Sequence, residues 1–283
     1  MGKTGLIMEG GAMRGMFTSG VIDVLMEQGI EFDGAIGVSA GATFGCNIKS
    51  KQIGRAYRYN TKYCNDYRYG SIKSLIKSGD LFDADFCYRE IPNELDVFDT
   101  DTFKNNPMDF YVVATDVETG KAVYHKCHDG GERDVEWIRA SASLPLASKI
   151  VEIGDRKLMD GGIGDSIPVR YFRHKGYDKN VLILTRPSSY VKGPNKFVPI
   201  CKKLYKKYPA FTEAIANRHI RYNRTLAYIN ALEKAGKIYV IRPTEELNIK
   251  PSESNPDELK RVYDTGRTVA HKELSGLIEY LNK

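Results

Sequence analysis

The chain has 283 residues, of which 42% are hydrophobic and 28% are charged, and this ordinary composition excludes a disordered, collagen-like or coiled-coil protein. Its length predicts one large domain, or one domain with an appendage. The formal net charge of +6 is too small an excess to indicate nucleic acid binding, so we expect no nucleic acid partner.

The cysteine pattern indicates a reducing compartment. The 5 cysteines are widely spaced and include no Cys-x-x-Cys pair, which favours neither a disulfide framework nor a zinc ribbon. We interpret the cluster of His125, Cys127 and His128 as the end of a hairpin rather than a metal site. The sequence shows no secretory signal pattern and no run of the ~20 apolar residues that span a membrane. We therefore expect a cytoplasmic protein, with at most peripheral contact with a membrane.

Short strands alternate with helices at the beginning of the chain. Residues 6–8 form an apolar run that stops at a Gly-rich turn, and apolar residues then recur at helical spacing until Gly29. A second apolar run, residues 34–38, leads into another helical stretch through Ile48. This order predicts an α/β domain with a mostly parallel sheet that is buried on both faces.

The pattern weakens over residues 51–105, which we interpret as peripheral helices and loops. Beyond them, a β-branched run at residues 110–115 and a Gly-containing turn predict a hairpin with residues 122–124. A helix at residues 135–142, two short strands around a Gly-Asp turn and a buried strand at residues 181–185 follow. A long helix, a strand and a final helix complete the predicted elements.

A basic tract follows the last strand of this series. No acidic residue occurs between Asp178 and Glu213, while lysines and arginines accumulate there. We divide the chain into a core, residues 5–185, and a basic, mainly helical C-terminal extension packed on it, residues 186–283. The tract, residues 179–212, also carries aromatic residues. It has two interpretations, a solvated face and a surface that docks on anionic lipid headgroups.

The motif Gly37-Val38-Ser39-Ala40-Gly41 lies between a predicted strand and a predicted helix. A serine on such a sharp turn is held in a strained backbone with its hydroxyl projecting, and the flanking glycines allow close packing. The helix that follows adds its dipole and free N–H groups beside a developing oxyanion. The motif predicts a nucleophile at Ser39, and the alternative is a tight turn without chemistry.

A second Gly-rich element, residues 10–15, follows the first predicted strand. Its backbone N–H groups lie above the end of the strand, and Arg14 adds a positive charge there. Such a loop can form an oxyanion hole beside Ser39, or it can bind a dinucleotide as a Rossmann loop does. The second use needs an acidic residue at the end of the next strand, where Ser39 stands instead.

A serine nucleophile needs a base, and Asp160 is the best candidate. It ends a short predicted strand and precedes Gly161 and Gly162, so its carboxylate can project at the edge of the sheet; an Asx turn is the alternative. A rival mechanism is an α/β-hydrolase triad that adds His174 or His271, although that fold normally builds several strands before its nucleophile. A non-catalytic nucleotide- or acyl-binding module is the rival from another class.

Four ordered motifs resemble those of the patatin-like phospholipase family of serine lipid acyl hydrolases. They are EGGAMRG (9–15), GVSAG (37–41), ASASLPL (140–146) and DGG (160–162). The resemblance covers about residues 5–185. It implies a three-layer α/β/α sandwich with a mostly parallel central sheet.

The resemblance also implies roles for single residues. The family uses a Ser-Asp dyad without histidine, metal or cofactor, so Ser39 would be the nucleophile and Asp160 the base. The residues implied for the oxyanion hole are Gly10, Gly11, Ala12 and Arg14, and those implied to support the motifs are Gly15, Gly37, Gly41, Gly161 and Gly162. Ala12 stands where the family usually has a third glycine, so a positive φ there would be strained.

We therefore expect a serine acyl hydrolase of the phospholipase A or lipid esterase type that acts in lipid degradation. Its acyl-enzyme would form on Ser39 and would be released by water that Asp160 activates. A carboxylate with an ordinary pKa of about 3.9 is a feeble base, so burial must raise the basicity of Asp160. The sequence carries no signal for the identity of the ester, its chain length or the oligomeric state.

Overall fold

An 8-stranded sheet organises residues 2–283, the part of the chain that the computed structural model describes. The strands are β1 (Lys3–Met8), β2 (Gly34–Val38), β3 (Asp109–Asp116), β4 (Ala122–Cys127), β5 (Val151–Ile153), β6 (Arg156–Asp160), β7 (Tyr177–Ile183) and β8 (Ile238–Ile241). The helices are α1 (Gly15–Glu27), α2 (Ala40–Thr43), α3 (Cys46–Lys49), α4 (Arg55–Tyr63), α5 (Ile72–Ser78), α6 (Thr100–Asn105), α7 (Glu132–Ala142), α8 (Val169–His174), α9 (Val198–Leu204), α10 (Pro209–Lys234) and α11 (Pro256–Asn282). A π-helical segment, Phe86–Leu95, lies between α5 and α6.

The sheet is parallel through most of its width and antiparallel at one end. Its order is β5-β6-β3-β2-β1-β7-β8, with β4 paired to β3 off this path. The four pairs along the series β3-β2-β1-β7-β8 are parallel. β4 and β6 each pair with β3, and β5 pairs with β6, and these three pairs are antiparallel. The predicted hairpin is confirmed, because β3 and β4 pair from Phe110–Cys127 to Thr115–Ala122.

Both faces of the sheet are covered by helices, which confirms the predicted three layers. Leu6 and Met8 of β1 belong to a buried cluster with residues of α1 and α11, while Ile7 belongs to a second cluster with residues of α8 and α10. Successive side chains of a strand point to opposite faces, so this alternation assigns one cluster to each face. Burying both faces supplies the main favourable free energy of folding.

Residues 51–105 form helices, as predicted, but "peripheral" is wrong for part of this region. Tyr69, Phe86 and Ile91 are buried in the same cluster as α1. The region is rich in tyrosine, whose ring packs like an apolar side chain while its hydroxyl is polar, so its packing leaves only a weak apolar periodicity in the sequence.

The C-terminal part of the chain completes the sheet and one helical layer. β8 pairs in parallel with β7, and α11 packs against α1 with their backbones in contact. A Cβ atom on Gly20 would lie 2.1 Å from the Tyr263 carbonyl oxygen, and one on Gly266 would lie 2.1 Å from that of Phe17. The division of the chain at residue 186 stays a prediction, and the sheet itself continues across it.

Two strands meet head to head on one edge of β3. Val38, the last residue of β2, pairs with Val113, and Asp160, the last residue of β6, pairs with Ala114. β4 pairs along the other edge of β3, so β2 and β6 share the same edge from opposite directions. Their C-terminal ends therefore face each other at adjacent register positions.

Candidate active site

Ser39 occupies a strained turn between β2 and α2. Its φ of 54° and ψ of −122° lie outside the regions that non-glycine residues prefer. A Cβ atom on Gly37 would lie 2.2 Å from the Gly41 carbonyl oxygen, and one on Gly41 would lie 2.3 Å from that of Met8. Neither position can carry a side chain without moving the backbone, which explains the two glycines of the motif.

A buried hydrogen bond holds this turn in place. The Ser39 N–H group donates to Oγ of Ser141 over 2.8 Å, and Ser141, on α7, has no exposed surface. A non-glycine residue keeps a positive φ only where the interactions around it stabilise that conformation, and the hydrogen bond to Ser141 is one of these interactions. Sequence reasoning missed this role, although Ser141 lies within the ASASLPL motif.

The Asp160 carboxyl is buried beside Ser39, with 1% of the residue exposed. Its Oδ1 accepts a hydrogen bond from the Gly162 N–H group over 2.8 Å, while its Oδ2 has no hydrogen bond of standard geometry with residues 2–283. Burial raises the pKa of the carboxyl above its ordinary value, and the Arg218 charge and the neighbouring Ser39 hydroxyl act in the opposite direction. The turn is thus an Asx turn that also leaves one carboxylate oxygen available to the serine.

The Gly-rich loop lies directly against the serine. A Cβ atom on Gly10 would lie 2.8 Å from Cβ of Ser39. The N–H groups of Gly10, Gly11 and Ala12 donate to no acceptor within the described chain, so they are free donors in the cavity that Ser39 also lines. Ala12 has a φ of 48°, so the strain expected from an alanine at this position is present.

Glu9 fixes the loop to two other elements. Glu9 is buried, accepts a hydrogen bond from the Thr185 N–H group over 2.7 Å and accepts another from the Tyr222 hydroxyl. Thr185 also donates through its hydroxyl to the Gly10 carbonyl oxygen over 3.1 Å. The end of β7 and helix α10 therefore hold the loop against Ser39, and sequence reasoning identified neither Glu9 nor Tyr222.

Two cavities meet at the serine. The apolar cavity has a volume of about 120 Å³, the polar cavity has a volume of about 170 Å³, and Ala12, Ser39 and Leu144 line both. Apolar and aromatic residues of the first cavity include Phe44, Tyr59, Tyr69, Ile91 and Ile138. Basic residues of the second include Arg14, Arg186, Lys192 and Arg218. A reacting group at Ser39 would thus have apolar surroundings on one side and positive charge on the other.

The remaining predicted motif residues have packing functions. A Cβ atom on Gly15 would lie 2.8 Å from Cβ of Ala40, and one on Gly161 would lie 2.0 Å from the Val113 carbonyl oxygen. Glycine at these positions therefore lets the loop, β3 and the two turns approach one another. Gly162 lines the polar cavity as well as donating to Asp160.

The histidines lie away from this site. His174 ends α8 and His271 lies on α11, and no histidine of the described chain lines either cavity. The rival triad consequently has no imidazole beside Asp160 among these residues.

The one cluster of potential metal donors within residues 2–283 comprises His125, Cys127 and Asp134, whose donor atoms lie within 4.8 Å of one another. Asp134 already pairs with Nε2 of His125 over 2.9 Å. It also accepts from three backbone N–H groups, those of residues 128–130. The carboxylate therefore closes the turn after β4, and hydrogen bonds of the fold account for its position.

Comparisons with known proteins agree with the motifs. A model of the family described as patatin-like phospholipase matches residues 6–173, and one described as a domain of unknown function (DUF6363) matches residues 208–282. The uncharacterized protein YjjU of Escherichia coli (strain K12) is 28% identical over 213 residues, which are 69% of this chain and 56% of that protein. The chain thus spans little more than half of that relative. The crystal structure of VipD from Legionella pneumophila aligns with a TM-score of 0.48 at 14% identity, over 96% of this chain and 67% of that one.

The bond between Ser39 and Ser141 predicts a specific loss of stability. Ser141→Ala leaves the buried Ser39 N–H group without an acceptor, and we expect it to lower the free energy of unfolding by about 1–3 kcal/mol. Ser19→Ala is the matched control, because Ser19 is equally buried but donates only to the Gly15 carbonyl oxygen of its own helix. Urea denaturation measures both. An equal loss in the two variants would contradict a special role for Ser141.

Proposed function

This chain belongs to the patatin-like phospholipase family, and we propose that it hydrolyses carboxylic ester bonds of lipids through an acyl-enzyme on Ser39, with Asp160 as the base. Membership of the family supports lipid ester hydrolysis in general. The observation that carries the proposed mechanism is the strained serine beside a buried carboxyl, with the Gly-rich loop and its free N–H groups packed against the serine.

The proposed reaction has two steps that share the same groups. Asp160 takes the hydroxyl proton while Oγ of Ser39 attacks the ester carbonyl carbon, and the resulting oxyanion accepts hydrogen bonds from the Gly-rich loop. The C–O bond to the alcohol then breaks, and the alcohol leaves with the proton held by Asp160. In the second step Asp160 deprotonates a water molecule that attacks the acyl-enzyme. The fatty acid leaves, and the proton returns to Ser39.

Burial explains how a carboxylate can act without a histidine. Removing Asp160 from water disfavours its charged form and so raises its basicity. Arg218 and Lys192 oppose this change by favouring the charged form, so the carboxylate is not simply locked in the protonated state. The absence of a hydrogen bond of standard geometry at Oδ2 of Asp160 is no obstacle, since catalytic hydrogen bonds often tighten only when substrate is bound.

The apolar cavity offers a place for the acyl chain. Residues of α4, the π-helical segment and α7 line it, and it opens at Ser39. An acyl chain there would exclude water from the dyad and strengthen the electrostatic interactions at the oxyanion.

A surface near the site supports peripheral contact with an anionic membrane. Phe197, directly before α9, and Leu204, its last residue, are 58% and 64% exposed, and Ile200, which is 50% exposed, lies between them. Exposed lysines surround this surface, which we call the α9 face: Lys196, Lys202, Lys203, Lys206 and Lys207. Apolar side chains ringed by lysines fit the interface of an anionic bilayer. No helix within residues 2–283 has the length and apolarity to cross one.

Labelling with a fluorophosphonate probe tests the nucleophile. We expect Ser39→Ala to lose labelling and ester hydrolysis completely, and Asp160→Asn to lower kcat by roughly 10²–10⁴-fold because the base is lost. Ser50→Ala, which changes a buried serine outside both cavities, should keep both signals. Thermal melting checks folding, and undiminished labelling of the Ser39→Ala protein would refute the mechanism.

The pH dependence of kcat/KM tests the base. Activity should rise as the pH passes upward through the raised pKa of Asp160, because only the carboxylate accepts a proton. Since the charge of Arg218 lowers that pKa, Arg218→Gln should move the acid limb of the profile to higher pH. Arg224→Gln, an exposed change on the same helix, should leave the limb in place. An unmoved acid limb in Arg218→Gln would contradict Asp160 as the titrating base.

Vesicle co-sedimentation tests the α9 face. We expect binding to phosphatidylglycerol vesicles that weakens with salt and falls about fivefold for each lysine removed in Lys202→Gln and Lys203→Gln. Lys104→Gln, which removes an exposed lysine of α6, is the control for net charge. Binding that depends neither on salt concentration nor on anionic lipid would contradict the proposed contact with an anionic membrane.

A further inference from the structure

The polar cavity at Ser39 is strongly cationic. Four basic side chains line it, from Arg14, Arg186, Lys192 and Arg218, against two acidic ones, from Glu9 and Asp160. The match to the family model ends at residue 173, and three of the four basic residues lie beyond it: Arg186, Lys192 and Arg218. The charge of this cavity is therefore mainly a property of the C-terminal part of this chain.

These charges have few partners of opposite sign. Within residues 2–283, Arg186 forms an ion pair with Glu246, whereas Arg14, Lys192 and Arg218 form none. Nε of Arg14 is buried without a hydrogen bond to any described residue, and Nε of Arg218 donates to the carbonyl oxygen of Gly162. The ammonium group of Lys192 lies 5.0 Å from the centre of the Tyr222 ring.

The two acidic residues offset only part of this charge, because two carboxyl groups face four basic side chains. Glu9 also accepts hydrogen bonds from Thr185 and Tyr222, and Asp160 accepts one from Gly162. Burial and then the charge of Arg218 lower the pKa of Lys192 to about 8. Burial and then the charge of Arg186 lower the pKa of Arg14.

Clustered, partly buried cations repel one another and lose solvation, so the cavity favours an anion. Planar guanidinium groups match phosphate oxygens in pairs, and a lysine supplies a further point charge. Tyr190 and Tyr222 lie beneath the cations Arg186 and Lys192, so these rings are not free to hold a quaternary ammonium group. The cavity thus has the groups for a phosphate and lacks those for a choline.

We propose that this cavity binds the phosphate of an anionic lipid ester and selects that lipid over neutral and zwitterionic lipids with the same acyl chain. The inference rests on the proposed hydrolase function and adds the class of the leaving group to it. The acyl chain occupies the apolar cavity, the carbonyl lies at Ser39, and the alcohol that leaves carries the phosphate. Recognition of the leaving group thus comes from the C-terminal part of the chain.

The experiment compares three substrates with one acyl chain in mixed micelles: lysophosphatidic acid, lysophosphatidylcholine and the monoacylglycerol. We expect the protein to have its highest kcat/KM with lysophosphatidic acid. Lys192→Met should lower the ratio of kcat/KM for lysophosphatidic acid to that for the monoacylglycerol by at least about tenfold, because a charge-assisted hydrogen bond is lost. Lys192→Arg should restore most of the ratio. Lys104→Met, which changes an exposed lysine outside both the cavity and the α9 face, should leave the ratio unchanged.

The outcomes separate this inference from the function on which it rests. Equal rates with the three substrates, or a ratio that Lys192→Met does not change, would overturn the headgroup inference while the hydrolase stands. Absence of hydrolysis and of fluorophosphonate labelling would overturn both. Free phosphate is the other ligand with this chemistry, and titration calorimetry with inorganic phosphate tests whether the cavity binds it. Lys192-dependent phosphate binding without any preference among the three lipids would assign the cavity to free phosphate and overturn the headgroup inference.

Discussion

The head-to-head arrangement of β2 and β6 on one edge of β3 is the constraint on which the site depends. It places the residue after Val38 beside Asp160, because Val113 and Ala114 are the neighbouring partners on β3. Most of the sheet is parallel, and a parallel strand at the position of β6 would have placed its N-terminal end against the end of β2. The antiparallel direction of β6 thus allows two C-terminal strand ends to face each other.

The same meeting point concentrates two unfavourable features. Ser39 has a backbone conformation that non-glycine residues avoid, and Asp160 has a carboxyl whose charged form is disfavoured by burial. Each costs folding free energy, and the surrounding packing must offset it. Ser141 and Gly162 hold the two residues in place by hydrogen bonds, while the charge of Arg218 reduces the rise in the pKa of Asp160 that burial causes. Strain and a perturbed pKa at one place are typical of a reactive site.

Different parts of the chain supply the two sides of the site. The apolar cavity is lined mainly by the region of residues 51–105 together with α7, whereas residues beyond 185 supply three of the four basic side chains of the polar cavity. Ser39 and the Gly-rich loop lie between them on the most regular part of the sheet. The strands therefore position Ser39 and Asp160, and helices and loops outside the sheet determine their surroundings.

Local patterns in the sequence were sufficient for the elements of the sheet, for the turn at Ser39, for the Gly-rich loop and for the Asp-Gly turn at Asp160, since each depends on neighbouring residues. Residues 51–105 escaped detailed prediction because aromatic packing there does not follow a simple period. The contact between Ser39 and Asp160 was predicted through the resemblance of four motifs, not through any local rule. Glu9 and Ser141 stand inside two of these motifs, but their contacts, like those of Arg218 and Lys192, were not predicted. Packing between segments far apart in sequence decides which side chains of a helix or loop line a cavity. The sequence by itself determined which residues could react, and only the tertiary structure decided which charges and apolar surfaces surround them.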